Sequence, residues 1–194
     1  MQATEILERE HAIIERALKL LESAVVMIRT GRRLPDGFAT WAVNFICEFA
    51  DRHHHAKEEE VLFPLLEERG IPRSGGPIGC MLHEHEMGRD CVRRMREALP
   101  PQGDDSAGFA NAAEDYIGLL RQHIFKENNV LFMMAQRCLS PQDDLSVVEK
   151  YRAADARAGG ADGAGRFKSE LTQFERLFLT SAKADRVTQT VRLM

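Results

Sequence analysis

A histidine–carboxylate pattern occurs twice in this chain. Residues 54–63 read HHAKEEEVLF and residues 123–132 read HIFKENNVLF, so a histidine, a lysine and a glutamate coincide when the two segments are aligned. An earlier lone histidine precedes each segment, His11 in the first half and His85 in the second, and each directly follows a glutamate. Residues four apart lie on one face of an α-helix, so each His-x-x-x-Glu can present both side chains to one site. The repeat predicts helices arranged around four imidazoles and two carboxylates.

Imidazoles and carboxylates from four separate segments are the ligands that a pair of transition-metal ions requires. Nitrogen and oxygen donors without thiolates favour iron or manganese over Cu(I) or structural zinc. Burying such groups is costly unless a metal or a hydrogen-bond network satisfies them, and the network without metal is the alternative. We therefore predict a site for two iron ions, with manganese or zinc as substitutes, at His11, His54, Glu58, His85, His123 and Glu127.

A second register is available in the first half, because His55 and Glu59 repeat the ligand spacing one residue later. The aligned residues of the second half are Ile124 and Asn128, which cannot bind a metal in the same way. We therefore expect His55 and Glu59 to lie outside the set of metal ligands.

The third helix offers two candidate ligands. His83 and His85 point about 200° apart around the helix axis, so only one of them can face the core. His85 matches His11 because each follows a glutamate, and we expect His85 to bind the metal. His83 stays open as the alternative ligand.

The spacing of apolar residues is helical throughout, and no stretch alternates in the manner of a half-buried strand. Four long helices are predicted at about residues 4–29, 38–69, 78–99 and 106–138. Pro64 predicts a kink or an end in the second helix. Long helices with short connections favour an all-α fold, an antiparallel up-down four-helix bundle.

The chain is predicted to have two parts. Residues 1–140 form the bundle, and residues 141–194 form a C-terminal helical extension with an Ala/Gly-rich joint. Apolar residues at helical spacing beyond the joint predict one extra amphipathic helix. This helix packs across the bundle or meets a partner subunit, in which case the protein is a homo-oligomer.

Composition excludes several classes of function. The net charge of −4, without an extended basic stripe, gives no reason to expect nucleic-acid binding. No segment approaches the roughly 20 apolar residues of a membrane span, and the N-terminus lacks the pattern of a signal peptide. The four cysteines are scattered without a Cys-x-x-Cys motif, which argues against a disulfide framework or an iron–sulfur cluster and favours a reduced, cytoplasmic protein.

The residues resemble the hemerythrin-like, HHE cation-binding family over roughly residues 4–138. The resemblance rests on His11, on the two repeated segments and on Glu84-His85-Glu86 with Gly88-Arg89. It implies a four-helix bundle that holds a non-haem di-iron centre, with the six residues named above as ligands. It further implies that the two glutamates bridge the irons, together with an oxo or hydroxo group.

The chain departs from the oxygen-carrying hemerythrins at two positions. Met81 stands where those proteins have a fifth histidine, and Asn128 stands where they have their last carboxylate. One iron would then have fewer nitrogen ligands and a more open coordination sphere. This difference argues against simple reversible oxygen carriage.

Two further candidate residues lie two turns before the repeated histidines. Cys47 and Tyr116 share the inward faces of His54 and His123 and are expected next to a small molecule bound at the metals. A largely apolar pocket with open iron positions suits a diatomic molecule or a peroxide.

The favoured function is binding of iron and of a small ligand such as O2 or NO, for sensing, storage or iron handling. The alternative is a di-iron redox enzyme that reduces peroxide or NO or aids iron–sulfur repair, so the sequence leaves enzymatic activity open. A third hypothesis is a metal site that mainly stabilises the fold, because metal binding free energy can serve as folding free energy.

Overall fold

The computed structural model describes residues 1–101, 103–157 and 165–180, and every regular element in these residues is helical. Three π-helical segments, Ile46–His55, Glu58–Leu62 and Glu127–Leu131, connect α2 to α3 and α5 to α6. The chain is therefore an all-α helical bundle, as predicted. Its α-helices are α1 (Gln2–Arg29), α2 (Phe38–Phe45), α3 (Phe63–Glu68), α4 (Pro77–Glu97), α5 (Ser106–Lys126), α6 (Phe132–Cys138), α7 (Pro141–Arg157) and α8 (residues 165–180).

The sequence repeat is also a repeat of backbone structure. The N–H of Phe63 donates to the carbonyl of Glu58, and the N–H of Phe132 donates to the carbonyl of Glu127. Both bonds reach back five residues rather than four, so a widened π turn follows each predicted ligand glutamate. Such turns are rare and occur frequently at functional sites.

The second predicted helix continues through Pro64, where a kink or an end was predicted. Pro64 lies in the first turn of α3, and the π turn of residues 58–62 directly precedes it. Because the turn already departs from the regular bonding pattern, the missing N–H of proline does not end the helix, which runs on to Glu68.

Carboxylates fix the start of two helices. Asp105 caps α5 by accepting a hydrogen bond from the N–H of Gly108 at 2.9 Å. Asp144 of α7 accepts hydrogen bonds from the N–H groups of Gln2 and Ala3 at 3.0 and 2.9 Å. This second contact attaches the C-terminal extension to the first turn of α1.

Two apolar clusters fill the bundle, one on each side of the predicted ligands. In α1, His11 lies between Leu7 of one cluster and Ile14 of the other. Along the chain, each long helical stretch contributes one of its ends to the first cluster and the other end to the second. The order of these ends alternates from one stretch to the next, which is the distribution expected for an antiparallel bundle. The clusters draw on residues 14–50, 91–124 and 167–178, and on residues 3–7, 61–81 and 131–151.

The described part of the extension contains two helices where one was predicted. Helix α7 packs against α1 and the π segment Glu58–Leu62. Helix α8 packs across the bundle, because the rings of Phe174 and Phe178 lie 5.3 and 4.8 Å from that of Phe38. A homo-oligomer through this helix stays a prediction. Part of the predicted joint, residues 158–164, lies outside the described residues. Within the described ranges, no helix has both the length and the apolar character needed to cross a membrane.

Candidate metal centre

Seven buried side chains converge between the two apolar clusters. They form two groups, and the ligand atoms within each group lie within 4.8 Å of one another. Glu58 belongs to both groups, so the two sets of donors are adjacent. All six predicted ligands are brought together here, and His55 joins them. The groups are His11, His54, Glu58 and Glu127 (the two-histidine side) and His55, Glu58, His85 and His123 (the three-histidine side).

Glu127 lies between the two sides. Its Oε2 is 3.1 Å from Nε2 of His11 on one side and 3.2 Å from Nε2 of His123 on the other. One carboxylate therefore contacts an imidazole on each side of the centre.

Glu58 repeats this arrangement. Its Oε1 lies 3.7 Å from Nε2 of His54 and its Oε2 lies 3.6 Å from Nε2 of His85. Each of the two carboxylates thus lies between a histidine of one side and a histidine of the other.

An outer layer of carboxylates orients the imidazoles of the repeated segments. His54 donates from Nδ1 to Glu10 at 2.9 Å, and His123 donates from Nδ1 to Glu84 at 3.0 Å. Because a carboxylate can only accept, these bonds place a proton on Nδ1 and leave Nε2 as the nitrogen that faces the centre. The ammonium groups of Lys57 and Lys126 pair with the same two carboxylates.

The outer layer extends the repeat to one more pair of residues. His11 donates from Nδ1 to Oδ1 of Asn128 at 2.8 Å, and His85 donates from Nδ1 to Oε1 of Glu59 at 2.7 Å. Glu59 and Asn128 are aligned in the repeat and were set aside because they did not match as ligands. In both halves, this residue accepts a hydrogen bond from the lone histidine of the opposite half.

His55 is the residue that the repeat misplaced. We expected it outside the site, yet it is buried and its ring stacks on that of His85, with centroids 3.9 Å apart. It ends the π segment Ile46–His55, in which more residues per turn leave a smaller angle between neighbours. His54 and His55 therefore both reach the centre, one on each side.

The count of histidines changes accordingly. The expectation of fewer nitrogen ligands rested on Met81, which is buried in an apolar cluster. His55 brings the number of imidazoles at the centre to five. His85 is buried there, whereas the alternative His83 is exposed.

The chemistry of the donors fits a bound cation. Nε2 of His11, His54 and His55 and all four carboxylate oxygens of Glu58 and Glu127 lack a hydrogen-bond partner among the described residues. Such orphaned groups are costly to bury.

Charge within the centre supports the same conclusion. Burial and the facing carboxylate of Glu127 raise the pKa of Glu58 well above its ordinary value. Burial lowers the pKa of His54 to about 4, which keeps its ring neutral and able to bind metal at pH 7. A cation between the two carboxylates would remove their mutual repulsion.

A cavity of about 250 Å³ opens next to the three-histidine side. Tyr116 and Cys47 line it together with His55 and His85, so both predicted residues lie beside the centre. The expectation of an apolar pocket was wrong, because Arg52, Arg89, Arg93 and Arg96 also line the cavity. A role for Tyr116 and Cys47 in small-molecule binding stays a prediction.

A family model described as Hemerythrin HHE cation binding domain matches residues 2–135. The chain belongs to this family. The matched range contains all seven residues of the centre and ends before α7. Among solved structures, no significant match was found.

Curated relatives include proteins named for iron–sulfur cluster repair. The protein YtfE of Edwardsiella ictaluri is 34% identical over 125 residues, which cover 61% of this chain and 56% of the relative. YtfE of Pectobacterium carotovorum is 36% identical over 91 residues, covering 43% and 41%. The chain therefore spans only about half of the length of these relatives. An uncharacterized Mycobacterium tuberculosis protein, Rv1995, is 22% identical over 182 residues, covering 90% and 69%.

Proposed function

We propose that this hemerythrin-family protein holds two iron ions in the centre and binds a small ligand such as NO or O2 there. The main support is the convergence of five imidazoles and two carboxylates, all buried and shared between two adjacent groups. Bound iron would supply a redox-active Lewis acid with room for a small ligand.

The residues around the centre are suited to hold metal in a fixed geometry. Glu10 and Glu84 fix the tautomer of the histidines that they contact, and Lys57 and Lys126 balance the charge of these carboxylates. Outer partners of this kind are known to strengthen metal binding. Apolar clusters lie on both sides of the ligands along the helices and pack around the centre.

Access for a small ligand is proposed on the three-histidine side. The cavity there reaches His55 and His85, and Arg89 stands at its edge, held by Asp51 at 3.0 Å and Glu59 at 2.6 Å. The charged lining admits small polar molecules and anions, so peroxide is a second ligand to consider beside NO and O2.

A role in iron–sulfur cluster repair is the second candidate. It is supported by the names of the two YtfE proteins, at 34% and 36% identity. An iron centre that binds NO and can release iron suits such a role, because a damaged cluster needs both removal of NO and a supply of iron.

The test begins with anaerobic iron loading and metal counting. We expect two irons per chain and a new optical spectrum when NO is added. Iron-loaded protein, but not metal-free protein, is then expected to restore an iron–sulfur enzyme that NO has inactivated. One iron or none per chain would contradict the di-iron proposal, whereas normal loading without restoration would contradict only the role in repair.

A further inference from the structure

Helix α7 packs against α1, which carries His11, and against the π segment that begins at Glu58. Asp144, near its start, caps α1 by accepting from Gln2 and Ala3. Asp155, near its end, lies 2.7 Å from Nζ of Lys57, the lysine that also pairs with Glu10. These two anchors attach α7 at both ends to the elements that carry the predicted ligands.

Tyr151 occupies the same face of α7 between the two anchors. It follows Asp144 by seven residues and precedes Asp155 by four, spacings that return to one side of an α-helix. Its side chain is only 1% exposed and belongs to the apolar cluster that contains Leu7 and Leu62.

The hydroxyl of Tyr151 is the unusual feature. It is buried and has no hydrogen-bond partner in the described part of the chain, although a buried tyrosine hydroxyl usually finds one. Burial, followed by the negative charges of Glu58, Glu10 and Glu127, raises the pKa of Tyr151. The strongest charges around the phenol therefore include both carboxylates of the centre.

The repeat shows where a donor is missing. His55 gives the three-histidine side a third imidazole, but its aligned residue is Ile124, which offers no donor to the two-histidine side. Helix α7 packs against α1, which carries His11, and against the segment that begins at Glu58, and its Tyr151 has a buried hydroxyl without a partner among the described residues.

We propose that Tyr151 is an additional metal ligand that completes the two-histidine side through its phenolate oxygen. The phenol releases one proton to solvent as its oxygen binds the metal. This inference rests on the proposed binding of iron. Tyr151 lies beyond residues 2–135, so this ligand comes from outside the segment that the family model matches.

Tyr116 provides a matched control. The chain has two tyrosines, and the Tyr116 hydroxyl is likewise buried without a partner among the described residues. Tyr116 lines the cavity on the three-histidine side, where burial and the charges of Asp51, Cys47 and Cys91 raise its pKa. The carboxylates of the centre are not among these influences.

The experiment compares the full chain with Y151F and Y116F after iron loading and oxidation in air. Iron is counted, and phenolate binding is read from visible absorption and resonance Raman spectra. We expect a phenolate-to-Fe(III) charge-transfer band with phenolate vibrations in the wild type and in Y116F, and the loss of both in Y151F. If Y151F also loses iron, the vibrations retained by Y116F still assign the ligand to Tyr151.

Two results would overturn the inference while leaving iron binding intact. One is a wild-type protein with two irons and no phenolate vibrations. The other is a Y151F protein that keeps the vibrations. A wild-type chain that loads no iron would refute the proposed function and this inference together.

Discussion

The two sides of the metal centre have matching histidines and hydrogen-bond partners. They differ in their remaining residues and in whether a cavity or a helix lies next to them. Each has a histidine that contacts a glutamate paired with a lysine, and a lone histidine that contacts the residue after the opposite ligand glutamate. The three-histidine side adds His55 and opens to a charged cavity. The two-histidine side has Ile124 in place of His55, and α7 packs against α1, which carries its His11. The repeat thus accounts for the matching histidines and their hydrogen-bond partners. The residues outside the repeat account for the difference between the two sides.

The largest effect is expected when both shared carboxylates are removed. Changing Glu58 and Glu127 to Ala should abolish binding of the second metal and reduce binding of the first, because each glutamate contacts both sides. Metal counting after iron loading checks this expectation. Glu60→Ala is the control, since Glu60 is exposed and should leave two irons bound. Two irons per chain in the double variant would show that the bridging assignment is wrong.

Loss of His55 should affect one side alone. His55→Ala removes an imidazole that has no counterpart in the second half, so we expect affinity for one of the two irons to fall at least about tenfold while the other iron stays bound. Iron titration with two resolved affinities measures this difference. His83→Ala, at an exposed position, should change neither affinity. An unchanged iron titration of His55→Ala would show that His55 is not a metal ligand, as the repeat predicted.

The outer carboxylates should give matched effects on the two sides. Glu10→Gln and Glu84→Gln keep the shape of the side chain but remove the charge that holds the histidine. We expect each substitution to lower the affinity for one of the two metal ions by roughly 10–100-fold, because outer partners fix the tautomer of the ligand histidine. Competition with a chelator measures each affinity. If only one variant weakens binding, the two halves are less equivalent than their hydrogen bonds indicate.

The smallest effect on the metal is expected from α8, which packs away from the centre. Phe178 lies in the apolar cluster beside Phe38, 4.8 Å between ring centroids. Phe178→Ala should lower the free energy of unfolding by about 3 kcal/mol, as expected for a buried aromatic residue. Urea denaturation checks the stability, and iron counting should still give two irons. A loss of iron would show that α8 supports the centre after all.

Much of the fold and the frame of the site followed from the sequence. The repeated spacing identified His54, Glu58, His123 and Glu127 as residues that lie together, and helical periodicity predicted the all-α fold. His55 was set aside because its aligned residue, Ile124, cannot bind a metal, whereas the π segment that ends at His55 places both His54 and His55 at the centre. Asn128 was discounted because it cannot replace a carboxylate ligand, although it can accept a hydrogen bond from His11.

The packing of α7 against the bundle could not be predicted from the sequence, for a different physical reason. Tyr151 and Asp155 are single residues outside the repeat, so no spacing connects them to the ligands. Their place depends on how α7 docks, and the contacts of Asp144 with α1 and of Asp155 with Lys57 are long-range. Contacts between distant segments leave no periodic signal in the chain.

The most direct measurement is the Mössbauer spectrum of the full chain loaded with isotope-enriched iron and oxidised. Two irons per chain in different surroundings predict two quadrupole doublets of equal area, one for each side of the centre. A single doublet from two irons would contradict the difference between the sides. A spectrum of isolated, uncoupled iron at one per chain would contradict the dinuclear centre itself.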